Sequence, residues 1–383
     1  MRWLHPAAFV AAAVLLAGGV QAQSTGGGSA GGGTASQETP APQPAPTPAP
    51  LPAPAPSSAQ TANYFNPAIS VIGNFLAVGG SNRIENLPSA SLRESELGLQ
   101  AVVDPYARAD FFLSFGEEGV DVEEGFITFT SLPADFLVKL GRMRVAFGKI
   151  NTLHLHVLPW PDEPLPIVDL LGGAEGWIGS GVSVAKLLPL PGDTFSELTL
   201  QILRGDGGPF IAPTRTDLAY NGHYRVFRDL SDSTNLDVGL SYAIGANSFA
   251  NSTRTSLGAV DFTLRWKPLR RASYRSMTVR GELIFSRLQR YAEGAEQANG
   301  WFASCDYQLA KRWVVGARAE STGHSSANFI KDKGLAALLT FSPSEFSQLR
   351  AEVRHRRLQN EIDANEILLQ VQFAIGAHGA HPF

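Results

Sequence analysis

The chain has 383 residues, a formal net charge of −4 and one cysteine, and only 17% of its residues are charged. No large field of a single sign can arise from so few and so evenly balanced charges, which argues against a general binder of nucleic acids. The single cysteine argues against a small secreted fold held together by disulfides.

The first 63 residues predict an exported protein with a long tether. Basic residues precede an apolar stretch at residues 7–20, and the sequence "VQA" at residues 20–22 has the small-residue pattern of a signal-peptidase site. We expect residues 1–22 to be a cleaved signal peptide, because the stretch is shorter than the ~20 apolar residues of a membrane helix. A retained anchor helix is the alternative. Residues 23–63 are rich in Gly and Ser and then in Pro and Ala, which predicts a disordered tether.

From Asn66 onward, apolar residues recur at every second position in segments of about ten residues. In "LGAVDFTLRW", for example, Val260, Phe262 and Leu264 alternate with Asp261 and Thr263. This period is typical of β-strands with two different faces. We count about sixteen strands, starting near Ala68, Leu92, Tyr106, Val120, Asp135, Gly176, Phe195, Tyr220, Leu236, Thr255, Tyr274, Gly300, Arg312, Gly334, Phe346 and Glu366. Near Gly125 and Gly141 the alternation of apolar and polar residues shifts by one position, which is the effect that a β-bulge has.

The connections between these strands differ at the two ends of the predicted sheet. Every second connection is a tight polar turn, such as "DP" at Asp104 and "SPSE" at Ser342, and most longer connections fall between them. Membrane barrels show this asymmetry. Aromatic residues near strand ends are typical of the girdles at a membrane surface, and here they are Trp177, Trp266, Tyr274, Trp301 and Trp313.

A soluble all-β sandwich or propeller is the alternative, because such proteins also alternate, although no fixed-period propeller motif is present. We expect residues 64–383 to form an all-β, transmembrane antiparallel β-barrel of about 16 strands, since the even number is the rule for bacterial outer-membrane barrels.

Residues 66–383 resemble the porin-type outer-membrane β-barrels of Gram-negative bacteria. The resemblance depends on this architecture, on "NPAISVIGNF" from Asn66, on "SELGLQAVVDPYARADFFLSF" from Ser95 and on the terminal Phe383. It implies a location in the cell outer membrane, contact with the lipid bilayer, insertion by the barrel assembly machinery, a homotrimer, no cofactor and no enzymatic activity. The tail after Gly376 contains Pro382 and lacks alternation, so we expect the closing strand at residues 367–375.

The connection after the fifth strand, residues 147–175, is long, apolar and broken by prolines. The resemblance implies that it folds inward as the constriction loop of a channel. Its acids are Asp162, Glu163, Asp169 and Glu175, and the candidate basic residues of the channel wall are Arg142, Arg144, Arg280, Arg318, Arg350, Arg354 and Arg356. Either the two sets create a field across an aqueous gap, or the arginines pair with lumen acids such as Glu282, Glu320 and Glu352 and brace the wall.

His154 and His156 form an HxH pair within this loop. On an extended backbone both imidazoles lie on one side, with Asp162 or Glu163 as a third metal ligand. Ordinary polar loop residues are the alternative. The sequence has no G-x-S-x-G elbow, H-E-x-x-H motif or P-loop, and Cys305 falls on the predicted lipid side.

These patterns predict a channel for passive diffusion of small hydrophilic solutes. Two alternatives remain open at this point. One is a substrate-selective or metal-related uptake protein that uses the HxH loop. The other is a structural outer-membrane anchor whose Pro/Ala-rich tether binds a periplasmic partner.

Overall fold

A computed structural model describes residues 67–85, 87–117, 119–247, 253–290, 294–324 and 327–376. The predicted signal peptide at residues 1–22, the tether at residues 23–63 and the tail after Gly376 lie outside the described residues.

Sixteen antiparallel strands form a closed barrel in which each strand pairs with its neighbours in the sequence. The strands are β1 Ala68–Ser81, β2 Ala90–Asp104, β3 Ala107–Gly116, β4 Gly119–Phe129, β5 Phe136–Arg144, β6 Ile178–Leu187, β7 Thr194–Arg204, β8 Leu218–Ser231, β9 Thr234–Ala246, β10 Arg254–Trp266, β11 Met277–Arg290, β12 Gly294–Ala310, β13 Trp313–His324, β14 Ala327–Ser344, β15 Ser347–Leu358 and β16 Ile362–Gly376. One α-helix, α1 Leu165–Leu171, and the 3-10 turns Pro133–Asp135, Ile150–Thr152 and Leu155–Val157 complete the described elements. Strand β1 pairs with β16 and closes the sheet.

The sixteen predicted strands are confirmed, and most begin within three residues of the predicted position. Strands β12, β14 and β16 begin earlier, and β16 contains the predicted closing strand. Their early residues, such as "GAEQAN" in β12, lack an apolar face. The backbone ladder continues there without one, because hydrogen bonding between strands does not depend on side-chain polarity.

The outward face of the barrel is apolar and the inward face is polar. On β10, Val260 and Phe262 are 42% and 40% exposed, whereas Asp261 and Thr263 are 3% and 1% exposed. Cys305 is also exposed on the outward face, as predicted. A soluble sandwich would bury its apolar face. Because the apolar face is exposed here and the polar face is buried, the alternation indicates a membrane barrel.

The connections are asymmetric, although less so than predicted. At one end, β2 and β3, β8 and β9, and β12 and β13 are joined by two residues each, and the longest join at that end is 267–276. At the other end, residues 145–177 join β5 to β6 and residues 205–217 join β7 to β8. Within the part of the chain that the structure describes, no helix has the length and apolar character to cross a membrane.

Seven strand pairings contain a register shift, and two of these shifts are β-bulges that change the residues facing the lumen. The pairing of β1 with β2 shifts after Asn74, which leaves Arg93 as the extra residue, and the pairing of β3 with β4 shifts after Phe112, which leaves Glu123 as the extra residue. A bulge lets consecutive side chains face the same side. Arg93 and Glu94, and likewise Glu123 and Glu124, therefore face the lumen. The predicted slip near Gly125 lies beside the second bulge. At Gly141, where φ is +142°, a Cβ would come within 2.2 Å of the Gly125 carbonyl oxygen.

We predict that a charge on the outward face destabilises the barrel according to its depth. Val260→Arg, near the middle of β10, should lower the free energy of unfolding by roughly 2–4 kcal/mol, because the guanidinium would enter hydrocarbon. Leu309→Arg, at the end of β12, is the matched control and should cost about 0–1 kcal/mol, because it lies near the polar interface. Denaturant unfolding in lipid vesicles measures both, and equal costs would contradict the orientation of the outward face.

Candidate functional site

The connection between β5 and β6, residues 145–177, lies against lumen-facing residues of the opposite wall. Its helix α1 contacts β11, β12, β13 and β14. The helix starts after Pro164, which holds an extended conformation, and ends at Gly172 in the left-handed region with φ +116°. Ile167 and Leu170 on this helix are buried. We call residues 145–177 the lumenal segment.

A single amide side chain holds the two ends of the lumenal segment together. The Asn151 Nδ2 group donates to the carbonyl oxygens of Val145 at 2.8 Å and Trp177 at 2.9 Å, and the Trp177 N–H donates to Asn151 Oδ1 at 2.7 Å. Trp177 is fully buried between Phe147 and Phe210. Its predicted place in a membrane girdle is wrong, because the chain turns into the lumen before β6 begins.

The lumenal segment packs against an apolar part of the wall. Its Phe147, Leu158 and Trp160 belong to one buried cluster with the wall residues Ile284 and Phe302. The rings of Trp160 and Phe302 meet edge to face with centroids 5.5 Å apart. The lumen is therefore not uniformly polar, and burial of these side chains contributes to holding the segment in place.

Asp162 is the centre of an ion-pair cluster that joins the lumenal segment to β13 and β15. Its Oδ1 lies 2.8 Å from an Arg318 nitrogen, and its Oδ2 lies 2.8 Å from Arg354 and 2.6 Å from Arg356. Burial raises the pKa of Asp162, but the positive charges of Arg318, Arg356 and Arg354 outweigh burial and hold this pKa well below its usual range. The carboxylate is therefore charged at neutral pH.

Wall carboxylates balance the remaining charge of these arginines. Arg354 lies 2.7 Å from Glu366, and Arg356 lies 3.0 Å from Glu320. Glu320 also accepts a hydrogen bond from the Leu165 N–H at 3.1 Å. Contact distances of this kind leave no aqueous gap between Asp162 and the three arginines.

The other four candidate basic residues have separate partners. Arg144 lies 3.1 Å from Glu123 and donates to the Glu175 carbonyl at 2.8 Å. Arg142 donates to the Val122 carbonyl at 2.8 Å, and Arg280 forms an ion pair with Asp306. Arg350 donates to Gln370 at 2.7 Å and to Gln348 at 2.6 Å.

The other three candidate acids differ in their surroundings. Glu163 is buried, and burial raises its pKa to about 8 although Arg144 and Arg93 lower it. Asp169 is partly buried, and burial raises its pKa to about 7. Glu175 is exposed at the base of the lumenal segment, where partial desolvation raises its pKa. Only Asp162 of the four binds the arginine cluster described above.

His154 and His156 are both buried and lie beside glutamates of β2 and β4. The Nδ1 atom of His154 lies 2.7 Å from Glu96 and 3.1 Å from Glu123, and its Nε2 atom lies 2.7 Å from Glu124. The Nδ1 atom of His156 lies 3.5 Å from Glu96. Asp162, one of the two expected third ligands, belongs to the arginine cluster, so the neighbouring carboxylates come from strands that sequence reasoning did not consider.

The environment shifts the pKa values of the two histidines in opposite directions. Burial lowers the pKa of His154, but hydrogen bonds to Glu123, Glu124 and Glu96 outweigh it and hold this pKa well above its usual range. Burial lowers the pKa of His156 to about 4. At neutral pH the His156 imidazole is therefore neutral.

A cavity of about 550 Å³ lies between the lumenal segment and the end of the barrel with the short turns. Lys149, Thr152 and His154 of the segment border it. Polar residues of the wall line it, among them Gln100, Arg108, Asp110, Lys139, Glu197 and Arg225. Both signs of charge are present, so the lining suits water and hydrophilic solutes.

Comparisons with known proteins support the fold. No family model matches the sequence. An uncharacterized protein of Aquifex aeolicus is 29% identical over 335 residues, which are 76% of this chain and 70% of that protein. Among solved structures, the anion-selective porin from Comamonas acidovorans is 12% identical, has a TM-score of 0.57, and is matched over 81% of this chain and all of that one.

Two further solved structures are similar. The outer membrane channel DcaP of Acinetobacter baumannii is 11% identical with a TM-score of 0.53, over 81% of this chain and 96% of that one. The trimer form of OmpT of Vibrio cholerae is 7% identical with a TM-score of 0.54, over 81% of this chain and 100% of that one. The fold is that of the outer-membrane porins. The predicted porin-like barrel is therefore confirmed.

We predict that Asp162→Ala releases the lumenal segment from the wall. Three buried guanidiniums would lose a shared carboxylate, which should lower the stability by about 3–5 kcal/mol. Denaturant unfolding and limited proteolysis of the segment measure the effect. Asp193→Ala, in the exposed turn between β6 and β7, is the control and should change neither. Equal protease resistance of the parent and Asp162→Ala would contradict the anchoring role.

We predict a pH dependence of stability from Glu163. Its pKa is about 4.5 in the unfolded chain and about 8 in the folded protein, so between these values the folded state binds more protons. The free energy of unfolding should therefore fall as pH rises from 4.5 to 8. In Glu163→Gln this fall should become smaller, leaving the part due to the other carboxyl groups with a raised pKa, such as Asp169 and Glu175. Unfolding curves at pH 5 and pH 9 test this, and an unchanged slope in the variant would refute it.

Proposed function

We propose that this protein is a porin-like channel of the outer membrane that passes small hydrophilic solutes by passive diffusion. The single observation that carries the proposal is a closed barrel of sixteen strands with an apolar outside and a charged lumen. Sixteen strands enclose a wider space than their own side chains fill, as in porins. Conduction needs no catalytic residue, so enzymatic activity is not part of the proposal.

The lumenal segment would serve as the constriction of this channel. The contacts of its helix α1 with β11–β14 support this role, because these strands are far around the ring from β5 and β6. Of the two electrostatic alternatives, wall bracing is better supported at the arginine cluster. There Asp162, Glu320 and Glu366 contact the arginines directly. The solute would then meet the mixed charges of the cavity lining, such as Arg108 and Lys139.

We further propose insertion by the barrel assembly machinery after export through the predicted signal peptide, and assembly as a homotrimer. The outward apolar band supports contact with lipid, because a spanning sheet must present an apolar face to hydrocarbon. The trimer form of OmpT, which shares the fold, supports the oligomer.

Single-channel recording in planar bilayers tests the function. The purified protein should give stable conductance steps, whereas a silent bilayer would favour the outer-membrane anchor or a receptor for uptake. Deletion of residues 157–170 should raise the conductance severalfold, because the lumen would lose the middle of the lumenal segment, with Asp162 and nearly all of α1. A conductance equal to that of the parent would mean that the segment does not limit the flow.

A point substitution distinguishes constriction from damage to the barrel. Asp162→Asn should give larger or noisier steps, because the segment loses its anchor while the barrel wall stays intact. Asp193→Asn is the matched control on the exposed turn and should conduct like the parent.

A further inference from the structure

We propose that His154, His156 and Glu96, assisted by Glu94 and Glu123, form a binding site for one first-row divalent transition-metal ion, with Zn²⁺ as the probe. The proposal does not depend on the channel function. It concerns a cluster, which we call the His–Glu cluster, formed by these five residues where the lumenal segment meets β2 and β4.

The atoms of the His–Glu cluster have the spacing of metal ligands. One ligand atom each of Glu96, His154 and His156 lies within 4.8 Å of the other two, and the same holds for Glu94, Glu96 and Glu123. Glu96 lies 2.7 Å from His154 Nδ1 and 3.5 Å from His156 Nδ1. Two ligands at about 2.0–2.1 Å from a tetrahedral zinc ion stand roughly 3.3 Å apart, which is between these values.

The donor chemistry selects the kind of ion. Two imidazole nitrogens with carboxylate oxygens suit zinc and its neighbours in the first transition row, whereas calcium and magnesium prefer oxygen alone. The site has no thiolate, since Cys305 lies on the outer face. Each imidazole can offer one ring nitrogen to an ion through its lone pair.

The three glutamates outnumber the two cationic side chains that contact them, His154 and Arg144. The carboxylates of Glu94, Glu96 and Glu123 are all buried and face one another. Arg144 contacts Glu123, while Arg93 donates to the Pro161 carbonyl on the lumenal segment. Neither oxygen of Glu94 accepts a hydrogen bond from a donor among the described residues. Burial of carboxylates at this density is costly unless a cation lies among them.

Groups around the His–Glu cluster orient its ligands as they do in metal proteins. The Nε2 atom of His154 lies 2.7 Å from Glu124 and can donate its Nε2–H to this carboxylate, while the metal ion would displace the proton that Nδ1 shares with Glu96. Glu124 is itself held by the Arg144 N–H at 2.6 Å. The carbonyl of His156 accepts from Gln372 at 3.0 Å, which fixes the backbone beside the second imidazole.

The cluster depends on the β-bulge in β4. Without it, strict alternation would turn Glu123 or Glu124 toward the lipid. Glu96, Glu124 and His154 also border the 550 Å³ cavity, which gives an ion a path from the aqueous end of the barrel. A bound ion would join the lumenal segment to β2 and β4, in addition to its contacts with the arginines of β13 and β15.

Titration of the full, folded chain in detergent with ZnCl₂, after removal of metals with EDTA, tests the proposal by calorimetry. The parent should bind one Zn²⁺ per chain at this site. His156→Gln and Glu94→Gln should each weaken binding at least about tenfold, because the first removes a ligand and the second removes a carboxylate beside it. Resistance of the folded barrel to unfolding in SDS without heating shows that each variant is folded.

Two controls separate the cluster from other histidines. His223→Gln replaces a buried lumen histidine that bonds Ser241, and it should bind Zn²⁺ like the parent. A double variant, His378→Gln with His381→Gln, removes the histidines of the tail and should also keep full affinity. A parent that binds no Zn²⁺, an unchanged affinity in His156→Gln, or a loss of binding in the tail variant would each overturn the proposal.

Discussion

Closure of the sheet is the constraint on which the rest of the structure depends. Hydrocarbon provides no hydrogen-bond partner, so every backbone N–H and C=O of a spanning strand must pair within the sheet. Here the ladder runs from β1 through all strands and back to β1 through its pairing with β16. Once the ring is closed, alternation assigns every side chain to lipid or to the lumen. Charged residues such as Asp261 and Arg354 then share an interior that must satisfy them.

The lumenal segment provides partners for several of these charged residues, and two kinds of interaction hold it in place. Apolar side chains, including Trp160, pack against an apolar strip of the wall, while Asp162 binds three arginines on the opposite strands. Burial of the apolar side chains stabilises the segment without setting its exact position, and the ion pairs fix its position against the wall. The bulge in β4 adds a third contact, where Glu123 and Glu124 meet His154. The segment is thus held by β4 as well as by β13 and β15.

Sequence reasoning identified the strands because alternation is a local property. It located the lumenal segment by its length and composition, and it named His154, His156, Asp162 and the arginines as candidate residues. It did not find Glu94, Glu96, Glu123 and Glu124 as neighbours of the histidines. The adjacent acids at residues 123 and 124 break the alternation of β4, and this was the available signal. Trp177 was wrongly predicted to lie at the membrane surface, although it is buried. Its position near a strand end does not tell whether the chain turns into the lumen there.

The sequence by itself determined the all-β architecture, the number of strands and, away from the bulges, the face on which the strand residues lie, because a period of two follows from the backbone geometry of each strand alone. Only the tertiary structure decided which charges meet. Asp162 and Arg356 are far apart in the chain, as are His154 and Glu96, and their contacts depend on barrel closure, on the registers of strands far apart in sequence and on bulges that shift side chains by one residue. The pairing of charges is therefore a property of the closed ring, which no local pattern encodes.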